Sequence, residues 1–114
     1  MRNDTITVAT LRRMLDEGQP VTVVDIRPDA EWAEWSIPGA VHVDAYAALK
    51  AGQPNALAAL NVPADRPVVT ICAAGRVSLI AAEQLRARGF DACSLAGGMK
   101  AWSLAWNSAD VSVP

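Results

Sequence analysis

The segment that decides the fold is residues 68–89, VVTICAAGRVSLIAAEQLRARG. It opens with a β-branched run, which is typical of a buried strand. Apolar side chains then recur at helical spacing from Val77 to Leu85, and Gly89 is placed to end that helix. Cys72 lies in the turn between the two elements. A strand followed directly by a helix predicts a mainly parallel α/β sheet, with Cys72 at the strand end where such sheets bind ligands.

The same alternation of short strands and helical stretches continues outward. Further strands are expected over residues 21–24, 41–43 and 92–95. Further helices are expected over residues 10–17 with Thr10 as the N-cap, over a short stretch that starts at Pro28 or Asp29 and carries Trp35, and over residues 99–104. The alanine-rich residues 45–60 contain Gly52 and Pro54, so they are expected to form one or two short helices and a turn.

Length and composition bound the possible functions. The chain has 114 residues, 52% of them hydrophobic, and a formal net charge of −2, which predicts one domain over residues 1–114. Charges are mixed, without a basic stripe, so no nucleic-acid partner is expected. No run approaches the roughly 20 apolar residues of a membrane span, so we expect a soluble, cytoplasmic protein. Its two cysteines lack CxxC spacing, which argues against a disulfide scaffold or a metal site.

The turn after residue 71 combines several features that activate a thiol. Free N–H groups at a helix start favour a Cys72 thiolate, and Arg76 adds a nearby positive charge. Gly75 allows the loop to curl so that its amides face inward, while Ala73 and Ala74 leave the concavity open. The alternative is that Cys72 is a small buried hydrophobe, as most lone intracellular cysteines are. The surroundings favour a nucleophilic sulfur in an anion-binding loop.

Other reactive side chains are interpreted as structural. Cys93 lies within an ordinary strand pattern. His42 is the one histidine of the sequence, but a thiolate stabilised by a helix start needs no base, so His42 is expected to be a strand residue with a hydrogen-bonded ring. Asp25 and Arg27 stand two positions apart at a strand end and are expected to form a supporting ion pair.

Three motifs resemble the signatures of rhodanese domains. The first comprises VDIR at residues 24–27, EW at 31–32 and IPGAVH at 37–42. The second is CAAGRV at residues 72–77, similar to the rhodanese active-site loop with glycine three positions after cysteine. The third is LAGGMKAW at residues 95–102, similar to the closing Gly-Gly-x-x-Ala-Trp signature. They occur in family order and cover nearly the whole chain.

The resemblance implies a three-layer α/β/α fold around a five-stranded sheet, with Ile6 and Thr7 in an edge strand. It also implies a sulfurtransferase that takes sulfur from thiosulfate or a small persulfide such as glutathione persulfide, carries it on Cys72, and passes it to a thiol or cyanide. No metal or organic cofactor is implied. Residues 32–36 and 101–107 are similar to rhodanese domains associated with metallo-β-lactamase-type persulfide dioxygenases, so such an enzyme is an expected partner.

The chain departs from the family pattern at three places. Val77 stands where many of these loops have Arg or Thr, which leaves Arg76 as the charge of the loop, one position early. Trp35 and Ser36 replace a common Gly-His pair, and the Trp35 indole is expected at the pocket rim. Ala73 and Ala74 offer no side-chain hydrogen bonds, so anion binding is left to backbone amides.

The sequence leaves two rival functions open. A phosphatase or arsenate reductase also uses a cysteine in an anion-binding loop, but those enzymes need an arginine six positions after the cysteine, where this chain has Ser78. The other rival is a non-enzymatic persulfide carrier or a docking domain for a partner enzyme.

Overall fold

A computed structural model describes the backbone of residues 4–111 and the side chains of residues 4–105. Its sheet has five parallel strands: β1 (Thr5–Ile6), β2 (Thr22–Asp25), β3 (Val41–His42), β4 (Val68–Ile71) and β5 (Ala92–Leu95). Their order is β1-β5-β4-β2-β3, with β4 at the centre. The predicted α/β fold with a parallel sheet is confirmed.

Four helices connect the strands and a fifth follows β5: α1 (Val8–Asp16), α2 (Asp29–Glu34), α3 (Tyr46–Lys50), α4 (Val77–Ala87) and α5 (Gly98–Val111). α3 and α4 pack together on one face of the sheet, and α1 packs against α5 on the other. Helices on both faces give the expected three layers. Within residues 4–111, no helix is long and apolar enough to cross a bilayer.

The central strand β4 is buried on both faces. Val68 and Cys72 belong to the apolar core under α3 and α4, whereas Val69 and Ile71 belong to the core under α1 and α5. Alternate residues of a strand point to opposite faces, so a continuous apolar run fills both cores at once. Cys72 directly follows this buried run.

The first helix begins earlier than its sequence pattern predicted. Thr7, not Thr10, is the N-cap: its hydroxyl accepts the Thr10 N–H at 3.2 Å. The prediction placed the cap one turn too late because both threonines are competent caps and precede apolar residues. Since Thr7 is used as the cap, the edge strand is Thr5–Ile6 rather than residues 6–7.

Two further helix boundaries differ from the prediction, whereas residues 45–60 agree with it. α2 ends at Glu34, and Trp35 is extended with φ −168° and ψ 140°, because the chain must turn back to enter β3. Residues 45–60 form the single short helix α3 and then turns. α5 continues past residue 104 to Val111.

The turn between β5 and α5 lies directly against the Cys72 loop. The Met99 N–H donates to the Cys72 carbonyl at 2.9 Å, and the Lys100 N–H donates to the Ala73 carbonyl at 3.0 Å. Gly98 has φ +59°, and a Cβ there would collide with the Cys72 carbonyl oxygen and lie 2.8 Å from the Ala73 carbonyl carbon. Gly98 is therefore required both for its backbone conformation and for the close approach of two backbones.

Gly98→Ala is expected to lower the free energy of unfolding by about 2 to 4 kcal/mol, because an unfavourable φ is combined with a backbone collision. Chemical denaturation measures this loss. Gly18→Ala is the matched control, since Gly18 has φ +68° and nothing lies within 4 Å of the position that a Cβ would take. The control should lose about 1 kcal/mol. Equal losses at the two sites would show that the close approach at Gly98 does not restrict the chain.

Candidate active site

Cys72 directly follows β4 and is only 2% exposed. Two backbone amides point at its sulfur: the Gly75 N–H donates to Sγ at 3.1 Å and the Ser78 N–H at 3.4 Å. The loop from residue 72 to residue 78 therefore wraps around the sulfur. Amide donors directed at one atom favour negative charge on it, which is the environment a nucleophilic thiolate requires.

Gly75 gives the loop its curvature. Its φ is +90°, and a Cβ at this position would lie 2.9 Å from Gly97 N and 3.2 Å from Leu95 O. A side chain would thus both strain the backbone and push the loop away from the end of β5. The position of Gly75 in the sequence predicted this role.

Ser78 is a site residue that was not predicted from the sequence. Its Oγ lies 3.3 Å from Cys72 Sγ and 2.6 Å from Ser94 Oγ, and both serines are fully buried. A signal for this was present: a helix residue one turn after Gly75 faces back toward the loop, and serine there is polar within an otherwise apolar stretch. Ser94 carried no such signal, because serine in a strand is ordinary.

The loop is flanked by two grooves. One has a volume of about 510 Å³ and contains two cations, with a lining of Tyr46, Lys50, Arg76, Val77 and Ile80. The other has a volume of about 460 Å³ and mostly apolar walls, with a lining of Trp35, Ala73, Met99, Lys100, Ser103 and Leu104. Both have the size of small-molecule sites.

The predicted loop residues are divided between these grooves. Ala73 lines the apolar groove, whereas Arg76 is exposed and lines the basic one beside Lys50. Val77 is buried in the core under α4, and Ala74 faces outward. Trp35, predicted at the rim, is 43% exposed in the wall of the apolar groove.

A family model described as a rhodanese-like domain matches residues 7–105 of this chain. The chain belongs to the rhodanese family. The match spans all three sequence motifs and the entire active-site loop.

Individual relatives agree with the family match. The chain is 35% identical over 77 residues to a tRNA sulfurtransferase of Desulfurococcus amylolyticus, a match that covers 68% of this chain but only 14% of that protein. It is 32% identical over 98 residues to the candidate sulfurtransferase YtwF of Bacillus subtilis, covering 85% of this chain and 87% of that one. A rhodanese-like domain protein from Staphylococcus aureus has a crystal structure with TM-score 0.70 and 34% identity, over 88% of this chain and 91% of that chain. The family and these names support sulfur-transfer chemistry.

In this rhodanese domain, Asp25 and Arg27 form a buried ion pair at the end of β2. Arg27 Nε donates to Asp25 Oδ1 at 2.9 Å, and Nη2 donates to Oδ2 at 2.7 Å. Arg27 Nη2 also donates to the Trp35 carbonyl at 2.6 Å. The pair thus fixes the backbone that carries Trp35, an arrangement that fits structural support of the pocket wall.

His42 lies away from the sulfur and is held by its own neighbours. Its Nε2 is 2.8 Å from the Arg27 carbonyl oxygen, and its ring stacks on Trp32 with centroids 4.6 Å apart. Its Nδ1 lies 3.7 Å from Asp29 Oδ1. These contacts agree with the expected strand residue with a hydrogen-bonded ring.

The second cysteine of the rhodanese domain has a different environment. Cys93 is fully buried in the core on the α1 and α5 face. Burial, followed by the negative charge of Asp91, raises the pKa of Cys93 to about 11. Its thiol is therefore neutral near physiological pH and unsuited to nucleophilic attack.

The raised pKa of Cys93 predicts a loss of stability at alkaline pH. Between pH 9.0, the ordinary value, and about pH 11, the unfolded thiol loses its proton while the folded thiol retains it. The folded state binds more protons, so the free energy of unfolding falls as pH rises, by roughly 2 kcal/mol from this residue. Denaturant titrations across this range should show a shallower fall for Cys93→Ala. Parallel curves for the two proteins would contradict the assignment.

Proposed function

We propose that this rhodanese domain moves a sulfane sulfur from thiosulfate or a low-molecular-weight persulfide to a thiol or cyanide through a persulfide on Cys72. The observation that supports this most is the sulfur of Cys72 at the carboxyl end of the central strand, facing the amides of Gly75 and Ser78. The proposed location of the reaction is the cytoplasm, where acceptor thiols are kept reduced.

The proposed reaction has two displacements at sulfur. The Cys72 thiolate attacks the outer sulfur of thiosulfate, a new S–S bond forms, and sulfite leaves with the electron pair of the old S–S bond. An acceptor thiolate or cyanide then attacks the outer sulfur of the persulfide, and the Cys72 thiolate leaves with its electron pair. With a persulfide donor such as glutathione persulfide, the leaving group of the first step is the donor's thiolate.

The basic groove is the proposed approach for an anionic donor. Arg76 and Lys50 line it together, and Arg76 is adjacent to the loop amides that face the sulfur. Two cations at one groove attract a thiosulfate dianion more than a neutral molecule of the same size. Donor choice is therefore proposed to depend on the charges of this groove.

A phosphatase is a poorer fit to the same loop. Those enzymes place an arginine guanidinium over the anion, and here the sixth position after the cysteine is the buried Ser78, whose Oγ contacts the sulfur. A serine hydroxyl offers one donor in place of a bidentate fork, and it carries no charge.

A persulfide carrier or docking domain is the second candidate, and the apolar groove favours it. Trp35 is 43% and Leu104 is 67% exposed, and both line this groove beside Ala73 of the loop. Exposed large apolar side chains next to a reactive sulfur suit contact with another protein. A persulfide dioxygenase is the proposed partner of this kind.

The mass of the intact protein tests the persulfide. After incubation with thiosulfate or glutathione persulfide, the wild type is expected to gain the mass of one sulfur atom, and cyanide or a thiol should remove it. Cys72→Ser should lose both the mass gain and turnover, because the nucleophile is absent. Cys93→Ser is the matched control and should retain both. Loss in the Cys93 variant with retention in the Cys72 variant would reverse the assignment, and loading without turnover would favour the carrier.

Arg76→Ala tests the basic groove. The KM for thiosulfate is expected to rise more than kcat falls, because an exposed cation contacts the donor similarly in the ground and transition states. The expected loss in kcat/KM is about three- to tenfold, smaller at high salt. Leu79→Ala, at another exposed position on α4, is the control and should behave as wild type. Unchanged thiosulfate kinetics in Arg76→Ala would leave anion binding to the loop amides alone.

A further inference from the structure

A short row of small polar side chains lies beneath the active-site loop. Thr70 and Ser94 are paired across β4 and β5, and both lie on the sheet face that Cys72 shares with α4. Ser78, in the first turn of α4, stands above them. All four residues are at most 2% exposed, so their hydrogen bonds are made within the protein.

Ser78 Oγ lies between two hydrogen-bonding neighbours. Cys72 Sγ is 3.3 Å away on one side, and Ser94 Oγ is 2.6 Å away on the other. The Ser78 backbone is fixed separately, because Thr70 Oγ1 donates to its carbonyl at 2.7 Å and its own N–H donates to Cys72 Sγ. Only the rotation of the hydroxyl hydrogens remains to be settled.

The number of hydroxyl and thiol hydrogens determines the direction of the hydrogen bonds from Ser94 through Ser78 to Cys72. If Ser94 donates to Ser78, the Ser78 hydrogen is directed to the sulfur, and a thiolate accepts it. The Ser94–Ser78 contact and the Ser78–Cys72 contact then each contain one hydrogen. If instead a Cys72 thiol donates to Ser78, the Ser78 hydrogen turns to Ser94, and the Ser94 hydrogen has no acceptor among residues 4–105. A buried donor without an acceptor is unfavourable, so the row favours the direction that ends on a thiolate.

We propose that Ser78 is a catalytic hydrogen-bond donor to the Cys72 thiolate and that Ser94 is a positioning residue that directs the Ser78 hydroxyl toward the sulfur. Without Ser94, the Ser78 hydroxyl would be free to turn to backbone carbonyls of the preceding turn, as helical serines do. This inference rests on the proposed function, since it names residues that serve the same sulfur.

The Ser78 hydroxyl acts in both displacements of the proposed reaction. In the first displacement it stabilises the Cys72 thiolate that attacks the sulfur-donating molecule. In the second half Cys72 leaves the persulfide as a thiolate, and a hydrogen bond to the departing sulfur stabilises the developing charge. Removal of the Ser78 hydroxyl therefore slows loading and release together.

Charged or titratable groups also lie on the elements around the loop. They include Asp25, Arg27, Tyr46, Lys50, Arg76 and Lys100. None of them is changed in the variants that test the row, so differences among those variants report on the hydroxyl groups.

The experiment measures alkylation of Cys72 by iodoacetamide at about pH 7 and about pH 10, in a Cys93→Ala background so that a single thiol reacts. Relative to the parent, Ser78→Ala is expected to react about three- to thirtyfold more slowly at the lower pH, where it lacks a donor to the thiolate. At the higher pH the solution itself favours the thiolate, so the rates of Ser78→Ala and the parent should converge. Ser94→Ala should show the same pattern with a smaller loss, about two- to threefold.

Three further variants separate positioning from a structural role. Ser94→Ala should add nothing in a Ser78→Ala background, because Ser94 acts through the hydroxyl that is already absent. Ser78→Thr retains a hydroxyl and should restore most of the rate at the lower pH. Thr22→Val is the control: it removes a hydroxyl at the start of β2, opposite Val68 and at the far end of the strands from the sulfur, so it should keep the ratio of the two rates.

The proposal is overturned if Ser78→Ala and the parent have the same ratio of rates, or if Ser94→Ala lowers the rate equally with and without the Ser78 hydroxyl. It is also overturned if Thr22→Val changes the ratio as Ser78→Ala does. If Ser94→Ala proves too unstable to measure, the comparison of Ser78→Ala with Ser78→Thr decides the donor role. Persulfide formation by the parent, measured by mass, tests the proposed function independently, because two backbone amides still face the sulfur when the hydroxyl is gone.

Discussion

The backbone contact between the Cys72 loop and the turn that follows β5 is the constraint on which the site depends. Met99 and Lys100 donate their N–H groups to the carbonyls of Cys72 and Ala73, so the carbonyls that leave the strand end are already paired. With its carbonyls turned toward α5, the loop directs the amides of Gly75 and Ser78 at the sulfur. The approach is close enough that Gly98 cannot carry a side chain. A turn some 25 residues further along the chain therefore shapes the surroundings of Cys72.

The elements nearest Cys72 could be predicted because each carries its own local signal. The β-branched run of β4 and the helical spacing of α4 identified both elements, and both appear with the expected bounds. Less could be predicted where two residues compete for one role. Thr7 and Thr10 are both good caps, and the choice depends on where β1 ends, which is decided by pairing with β5. The sequence shows propensity, but strand pairing across the sheet is a long-range property.

The side chains around the sulfur were harder to predict than the loop itself. Arg76 is next to the loop in sequence, but its position at the start of α4 turns it toward Lys50, a residue from a different helix. Lys100 is distant from the loop in sequence, but it lies beside Ala73 because Gly98 allows the first turn of α5 to approach the loop. Ser94 meets Ser78 only because β5 pairs with β4 in a register that sets Ser94 beside Thr70. Each of these contacts follows from tertiary structure, and none has a sequence pattern of its own.

The two cysteines are equally buried but have different surroundings. Cys72 is 2% exposed and Cys93 is 0% exposed, so both are removed from water to a similar degree. At Cys93 that removal, together with the negative charge of Asp91, raises the pKa to about 11. Cys93 stands within β5, where backbone amides are used in sheet pairing. Cys72 stands one residue past the end of β4, where the chain leaves the sheet and its next amides need acceptors. The sulfur becomes that acceptor for Gly75 and Ser78. The strand end therefore supplies amide donors to the Cys72 sulfur, which is the arrangement that the proposed nucleophile requires.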